Sequence, residues 1–277
     1  MTDVAHGRLG FALGTGTLSE ERLGFYLRLA AAVAMLSVLV ETALDLEGNL
    51  RFERWHLVAA SAGMALATPG VLVARFSRPA LALFGACLVV YAATKWAAYH
   101  NHGWLSVWTL PVAAAFGARW WESDLFRWYL RATLGVVMLA AAAQKLLAGT
   151  YLDGSYITYL SLHGEPTERM FAFLCGEAAA QGSCAAHRAL GTFLVAWQIG
   201  VGLLLLAGLR SLLFLFVEVG FLLGAGLFAD EMNFQVLNVA LLTIAFGYSM
   251  RPWLCAACLA LLALDAVGIG TVVAHVL

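Results

Sequence analysis

Long apolar stretches separated by short polar connections run along most of the chain. They lie at about 23–46, 55–74, 80–99, 104–118, 126–148, 188–209, 212–229, 234–249 and 252–276. A membrane-spanning helix needs about 20 mainly apolar residues, and open sheet cannot satisfy its backbone in lipid. The stretches also lack the alternating pattern of a barrel strand. The pattern therefore predicts an all-α polytopic transmembrane helix bundle with about eight or nine spans.

The composition supports the same class and excludes several others. Of the 277 residues 62% are hydrophobic and 12% are charged, whereas an average soluble domain has about 25% charged residues. The formal net charge of −1 provides no basic field for nucleic acid. A soluble globular enzyme, a disordered chain and a nucleic-acid-binding module are thus excluded. We expect a cytoplasmic N-terminal segment at 1–22, a membrane domain at 23–277 and a long extracytoplasmic loop at 149–187.

The positions of the arginines predict the orientation of the bundle. With the N-terminus in the cytoplasm, nine arginines lie on the inner side: Arg8, Arg22, Arg75, Arg78, Arg119, Arg127, Arg131, Arg210 and Arg251. Four then lie on the outer side: Arg51, Arg54, Arg169 and Arg188. Cytoplasmic loops carry the excess of positive charge, so the N-terminus is expected inside and the C-terminus outside. The connections richest in other polar residues then all face outward.

Lys145 lies near the outer end of the fifth apolar stretch, directly after a run of alanines and Gln144. An ammonium at a helix centre costs about 2.5–3.5 kcal/mol on insertion scales. Two interpretations remain open for Lys145: a neutral amine that acts as a base in a pocket, or a lysine whose amine reaches the headgroups. Lys95, near the outer end of the third stretch, has the same two interpretations.

Hydrogen-bonding side chains also cluster between the third and fourth stretches. His100, Asn101 and His102 follow Tyr99 and precede Trp104. These polar side chains either cap two helix ends or face a substrate. A metal site would need further ligands at suitable spacing, and we predict none.

Several acidic residues and cysteines lie within or beside the apolar stretches. Intramembrane carboxylates are either functional groups or counter-ions for the lysines and Arg28, and the candidates are Glu41, Asp45, Glu218 and Asp265. Cys175 and Cys184 lie in the long outer loop, where the sequence leaves open whether they form a disulfide. Cys255 and Cys258 either pack in the last helix or form a redox pair.

Three motifs occur in the order found in one known family. Lys145–Leu146 is followed by Tyr151–Leu152–Asp153–Gly154 and then by residues 155–160, Ser-Tyr-Ile-Thr-Tyr-Leu. This segment resembles the one around the catalytic lysine of vitamin K-dependent γ-carboxylase and the related bacterial horizontally transferred transmembrane (HTTM) domain proteins. Asn101–His102 before a Trp-rich span and Met232–Asn233 before the eighth stretch are similar to two further motifs of that family. The matches cover about residues 20–250.

The resemblance implies a membrane enzyme that acts on a reduced quinone of the vitamin K or menaquinol type. Lys145 would be its general base, and Asn101 with His102 would orient the substrate or stabilise an oxyanion. Dioxygen and possibly carbon dioxide would be co-reactants in an oxygenation, a carboxylation or both. The residues expected to bind the substrate are Tyr99, His100, Trp104, Asp153, Tyr156, Asp230 and Asn233.

The same resemblance gives expectations about partners and location. The large peptide-binding domain of the carboxylase has no counterpart before Leu277, so a smaller substrate, or a partner protein that presents one, is expected. We expect an integral protein of a bacterial inner membrane whose active face is extracytoplasmic. The alternative is a non-catalytic membrane subunit that binds quinone or anchors a redox partner, as in small DoxX-type bundles.

Overall fold

A computed structural model describes residues 19–95, 101–163, 165–176, 182–229, 231–248 and 252–267, and every regular element in these ranges is helical. The helices are α1 (Glu20–Leu44), α2 (Leu46–Arg51), α3 (Trp55–Gly70), α4 (Ala74–Thr94), α5 (Asn101–Ala113), α6 (Asp124–Ala148), α7 (Ser155–His163), α8 (Glu165–Cys175), α9 (Ala185–Leu206), α10 (Leu212–Ala229), α11 (Met232–Phe246) and α12 (Pro252–Val267). Two 3₁₀ turns, Ala114–Phe116 and Trp120–Glu122, connect α5 to α6. The predicted all-α class is confirmed for the described residues.

Four of these helices, α1, α4, α6 and α9, are long and apolar enough to cross a membrane. This finding indicates an integral membrane protein. The helices α5, α10, α11 and α12 are also apolar but shorter. Each of the nine apolar stretches recognised in the sequence corresponds to one helix, either one of these eight or α3.

The helix boundaries differ from the predicted ones where a helix continues beyond its apolar run. α4 begins at Ala74, six residues before the predicted start, because its first turns contain the polar residues Arg75, Ser77 and Arg78. Backbone hydrogen bonds do not require apolar side chains, so apolar length alone misses such turns. The predicted long connection at 149–187 contains α7, α8 and the first turn of α9. The short helix α2 was not predicted.

The centre of the bundle is formed by α11, which is buried along almost its whole length. All residues from Gln235 to Phe246 are buried, and the helix packs against α1, α6, α10 and α12. A helix that is apolar on every face is typical of a buried position. The polar Asn238 fits there because its side-chain amide donates to the Phe234 carbonyl over 3.0 Å.

Two glycines allow α6 and α9 to approach each other closely. A Cβ at Gly202 would lie 2.9 Å from the Gly135 carbonyl oxygen and 2.8 Å from the Leu139 side chain. A Cβ at Gly135 would meet Leu206 at 2.9 Å. Small residues at such a crossing are the common means by which membrane helices pack. This contact sets α9 beside the end of α6 that carries Lys145.

Candidate functional site

Lys145 lies in the last turn of α6, and the end of that helix determines what covers its side chain. Gly149 follows the helix with a φ of 74°, and its N–H donates to the Lys145 carbonyl over 3.2 Å. This left-handed ending is one that glycine adopts readily. The chain then turns back, and the Lys145 Nζ lies 4.9 Å from the centroid of the Tyr151 ring. The half-buried amine therefore faces an aromatic ring.

Tyr151 is one member of a row of tyrosines. Its ring stacks on that of Tyr156 with centroids 4.5 Å apart, and Tyr156 lies 6.4 Å from Tyr159. Burial, together with a hydrogen bond to Tyr156, raises the pKa of the Tyr151 hydroxyl. The phenol beside Lys145 is therefore neutral across the physiological pH range, and its ring face is what it offers to the amine.

The turn that carries Tyr151 is fixed against the first turns of α9. A Cβ at Gly191 would overlap the Tyr151 carbonyl oxygen, so only glycine leaves room for this contact. Gly154 has a φ of 82°, and a Cβ there would lie 2.9 Å from the Arg188 nitrogen. These two close contacts hold the ring of Tyr151 in place over Lys145.

The chain's two lysines have different electrostatic surroundings. Lys95 forms an ion pair with Asp45, and the Tyr91 hydroxyl donates to the same carboxylate over 2.9 Å. In the described part of the chain, no carboxylate lies within ion-pair distance of the Lys145 amine. Glu231, at the start of α11, acts on that amine from farther away. The sequence favoured the same two interpretations for both lysines, and the structure gives the two amines different partners.

The other predicted site residues that the structure describes have varied surroundings. Tyr156 belongs to the tyrosine row beside Lys145. Asp153 is exposed, and its carboxylate accepts a hydrogen bond from the Ser155 N–H over 2.8 Å, which lowers the pKa of Asp153. The Asn233 side chain accepts from the Phe234 N–H over 2.8 Å. Trp104 is half-buried and packs against the central core.

Five predicted site residues cannot be placed at the amine. Asn101 and His102 begin α5, but their side chains lie outside the described part of the structure. Tyr99, His100 and Asp230 lie outside the described residues altogether. The pairing of Lys145 with His102 therefore stays a prediction.

Sequence reasoning assigned no role at the site to Tyr151, Glu231 or Gly191. The position of Tyr151 could have been predicted from Gly149, because a glycine that ends a helix turns the residues after it back toward the last turn of that helix. No local signal marks the other two. Their proximity to the turn depends on the packing of α9 and α11 against α6.

A disulfide between Cys175 and Cys184 joins the end of α8 to the start of α9. The Cys184 N–H donates to His187 Nδ1 over 3.0 Å, so the other ring nitrogen of a neutral His187 carries the proton and lies 3.4 Å from the Ser161 hydroxyl. Donor atoms of the two cysteines and His187 lie within 4.8 Å of one another. With the sulfurs bonded to each other and Nδ1 accepting, this cluster fastens three helices together.

Comparisons of the chain with protein-family models, with characterised proteins and with solved structures found no match. The fold and the site by themselves define the class: an all-helical integral membrane protein. At one end of its bundle, a half-buried lysine amine faces a row of tyrosine rings.

Proposed function

We propose that this protein is an integral membrane enzyme that uses the Lys145 amine as a general base on a lipid-soluble substrate of the quinol type. The observation that carries this proposal is the position of the amine. It is half-buried, faces the Tyr151 ring and has no carboxylate within ion-pair distance among the described residues.

The absence of a close counter-ion among the described residues matters because a lysine accepts a proton only as the neutral amine. A carboxylate in direct contact favours the ammonium form, as Coulomb attraction requires. At Lys145 the close neighbour is the neutral phenol ring of Tyr151. Such a ring face tolerates the amine before proton transfer and stabilises the ammonium afterwards.

The tyrosine row also fits a planar substrate ring. The stacked pair of Tyr151 and Tyr156 presents aromatic surface beside the amine, and offset stacking of a further ring is favourable. A ring hydroxyl placed at the Lys145 Nζ would transfer its proton to the nitrogen and leave a phenolate-type anion. The reduced quinone supplies that acidic hydroxyl and, with dioxygen or carbon dioxide, the later chemistry that the family resemblance implies.

We also propose eight or nine membrane crossings, an N-terminus in the cytoplasm of a bacterial cell and an active face outside. The nine helices that match the apolar stretches of the sequence and the arginine distribution support this arrangement. The disulfide supports it as well, because disulfides persist in oxidising compartments and this one lies in the segment that follows Lys145.

The experiment compares purified wild-type protein with Lys145→Met in lipid nanodiscs supplied with a menaquinol-type substrate and dioxygen. The matched control is Lys95→Met, which removes the chain's other lysine. We expect wild type and the control to consume substrate. The turnover of Lys145→Met should be at least about 100-fold lower, which is the lower end of the rate contribution of a general base. Unchanged turnover in Lys145→Met would exclude the base. An inactive wild-type chain that co-purifies with a redox partner would favour the non-catalytic subunit.

A further inference from the structure

A second polar group lies between α9 and α10, away from Lys145. α9 packs on α6, and α10 packs on α11, whereas α9 and α10 make at most a few close backbone contacts along their described lengths. Aromatic side chains fill the space between them. The Trp197 and Phe221 ring centroids are 4.9 Å apart, and Phe193 lies 5.7 Å from Trp197.

Glu218 lies at the base of this aromatic cluster and is only 1% exposed. Its Oε2 accepts a hydrogen bond from the Trp197 Nε1–H over 2.9 Å. Its Oε1 is buried and has no hydrogen-bond partner among the described residues. No described lysine, arginine or histidine lies within ion-pair distance. A buried carboxyl group in such surroundings is costly unless a partner reaches it.

One side of the cluster lies at the surface of the bundle. Phe193 is 46% exposed, so its ring lies at the edge of the cluster. A Cβ added at Gly200, which lies one turn along α9 from Trp197, would meet no atom within 4 Å. This is the side from which a molecule dissolved in the membrane would meet the cluster, and the Phe193 ring would have to turn aside for it to contact the buried Oε1 of Glu218.

We propose that Glu218, Trp197, Phe193 and Phe221 form an intramembrane binding site for a lipid-soluble ammonium ion. A carboxylate beside aromatic rings is a combination that binds an organic cation, because the carboxylate neutralises the charge and a ring face attracts it. The ion must carry an N–H group, since no described residue donates a hydrogen bond to the Glu218 Oε1. This site is separate from the proposed chemistry of Lys145 and does not depend on it.

The test measures saturable binding of N-octylbenzylamine, a protonated secondary amine near neutral pH, to the full chain in nanodiscs by equilibrium dialysis. Benzyl octyl ether serves as the neutral analogue, and benzyldimethyloctylammonium as the cation without an N–H. We expect one amine to bind per chain, the quaternary ion to bind more weakly and the ether to compete poorly. Empty nanodiscs give the background from lipid partitioning.

Two variants assign the binding to this cluster. Glu218→Gln keeps the shape and an acceptor for Trp197 but removes the negative charge, and we expect at least about tenfold weaker amine binding. Phe221→Leu, which leaves the carboxyl group in place, is also expected to bind the amine more weakly. The matched control is Glu41→Gln, which changes the buried carboxyl of α1 and is expected to bind as wild type.

Three results would overturn the proposal: no saturable amine binding, equal binding by wild type and Glu218→Gln, or competition by the ether as strong as that by the amine. The last result would mean that the site takes a neutral ligand. A loss of Lys145-dependent turnover with intact amine binding would separate this inference from the proposed enzyme activity.

Discussion

The residues around each lysine amine determine how easily a reagent reaches it. Lys95 is held by Asp45, while Lys145 faces the Tyr151 ring without a close carboxylate in the described structure. Because an acylating reagent must take the amine out of any ion pair, these partners produce different reactivities. The chain has only these two lysines, so their reactions can be followed separately.

We predict that a lipid-soluble acylating reagent modifies Lys145 several-fold faster than Lys95. The reason is that the ion pair with Asp45 must break before Lys95 reacts. Peptide mass spectrometry at short reaction times measures both rates. Asp45→Asn is the control and should raise the rate at Lys95 while leaving Lys145 unchanged. Faster modification of Lys95 in the wild type would contradict this account of the two amines.

Sequence reasoning identified Lys145 but not the ring that covers it. An intramembrane lysine is visible in any apolar helix, and the glycine that ends α6 is visible too. The position of Tyr151 also depends on its carbonyl docking on Gly191 in α9, 40 residues away. Such a contact follows from helix packing and has no local signature. Tyr156 was expected at the site, and it lies beside Tyr151.

At the scale of helices, the close contact of α6 and α9 positions the Lys145 site. The contact depends on Gly135 and Gly202, because a Cβ on either glycine would lie within 3.0 Å of backbone or side-chain atoms. Gly200 lies on α9 with Gly202, but a Cβ at Gly200 would meet no atom within 4 Å. These glycines therefore provide a matched pair of substitutions in α9.

We predict that Gly202→Ala lowers the thermal unfolding midpoint and that Gly200→Ala leaves it unchanged or raises it. The added methyl at Gly202 must push α9 from α6, whereas alanine at the open position gains up to about 1 kcal/mol of helix propensity. Unfolding in nanodiscs, followed by intrinsic fluorescence, measures both midpoints. If the unfolding midpoint shifts equally in the two variants, the close contact between α6 and α9 is contradicted.

Element type was the most predictable feature of this fold. Apolar length located nine helices because the backbone must satisfy its own hydrogen bonds in lipid. It could not locate α2, α7 and α8, since these short helices lie in polar connections whose structure depends on packing and on the disulfide. It also could not show that α11 is the central helix, because apolar residues on every face do not reveal which neighbour each face contacts.

At the scale of the whole molecule, the proposed orientation places the turn after α6 outside the cell. In a background without free cysteines, we predict that Asp153→Cys reacts with a membrane-impermeant maleimide added to intact cells. Arg119→Cys, in the connection between α5 and α6, should react only after the cells are opened. Residues 153 and 119 are both exposed, so burial would not explain a difference in maleimide labelling between the two variants. The reverse pattern would invert the proposed topology.

The central claim is that the Lys145 amine itself takes the proton, and chemical rescue tests this most directly. Lys145→Ala removes the amine and leaves a space beside Tyr151 that a small primary amine can enter. We predict that methylamine or ethylamine restores quinol turnover to this variant in proportion to its concentration, while guanidinium, which stays protonated, does not. The claim would be contradicted if Lys145→Ala unfolds at the wild-type temperature and neither amine restores its quinol turnover.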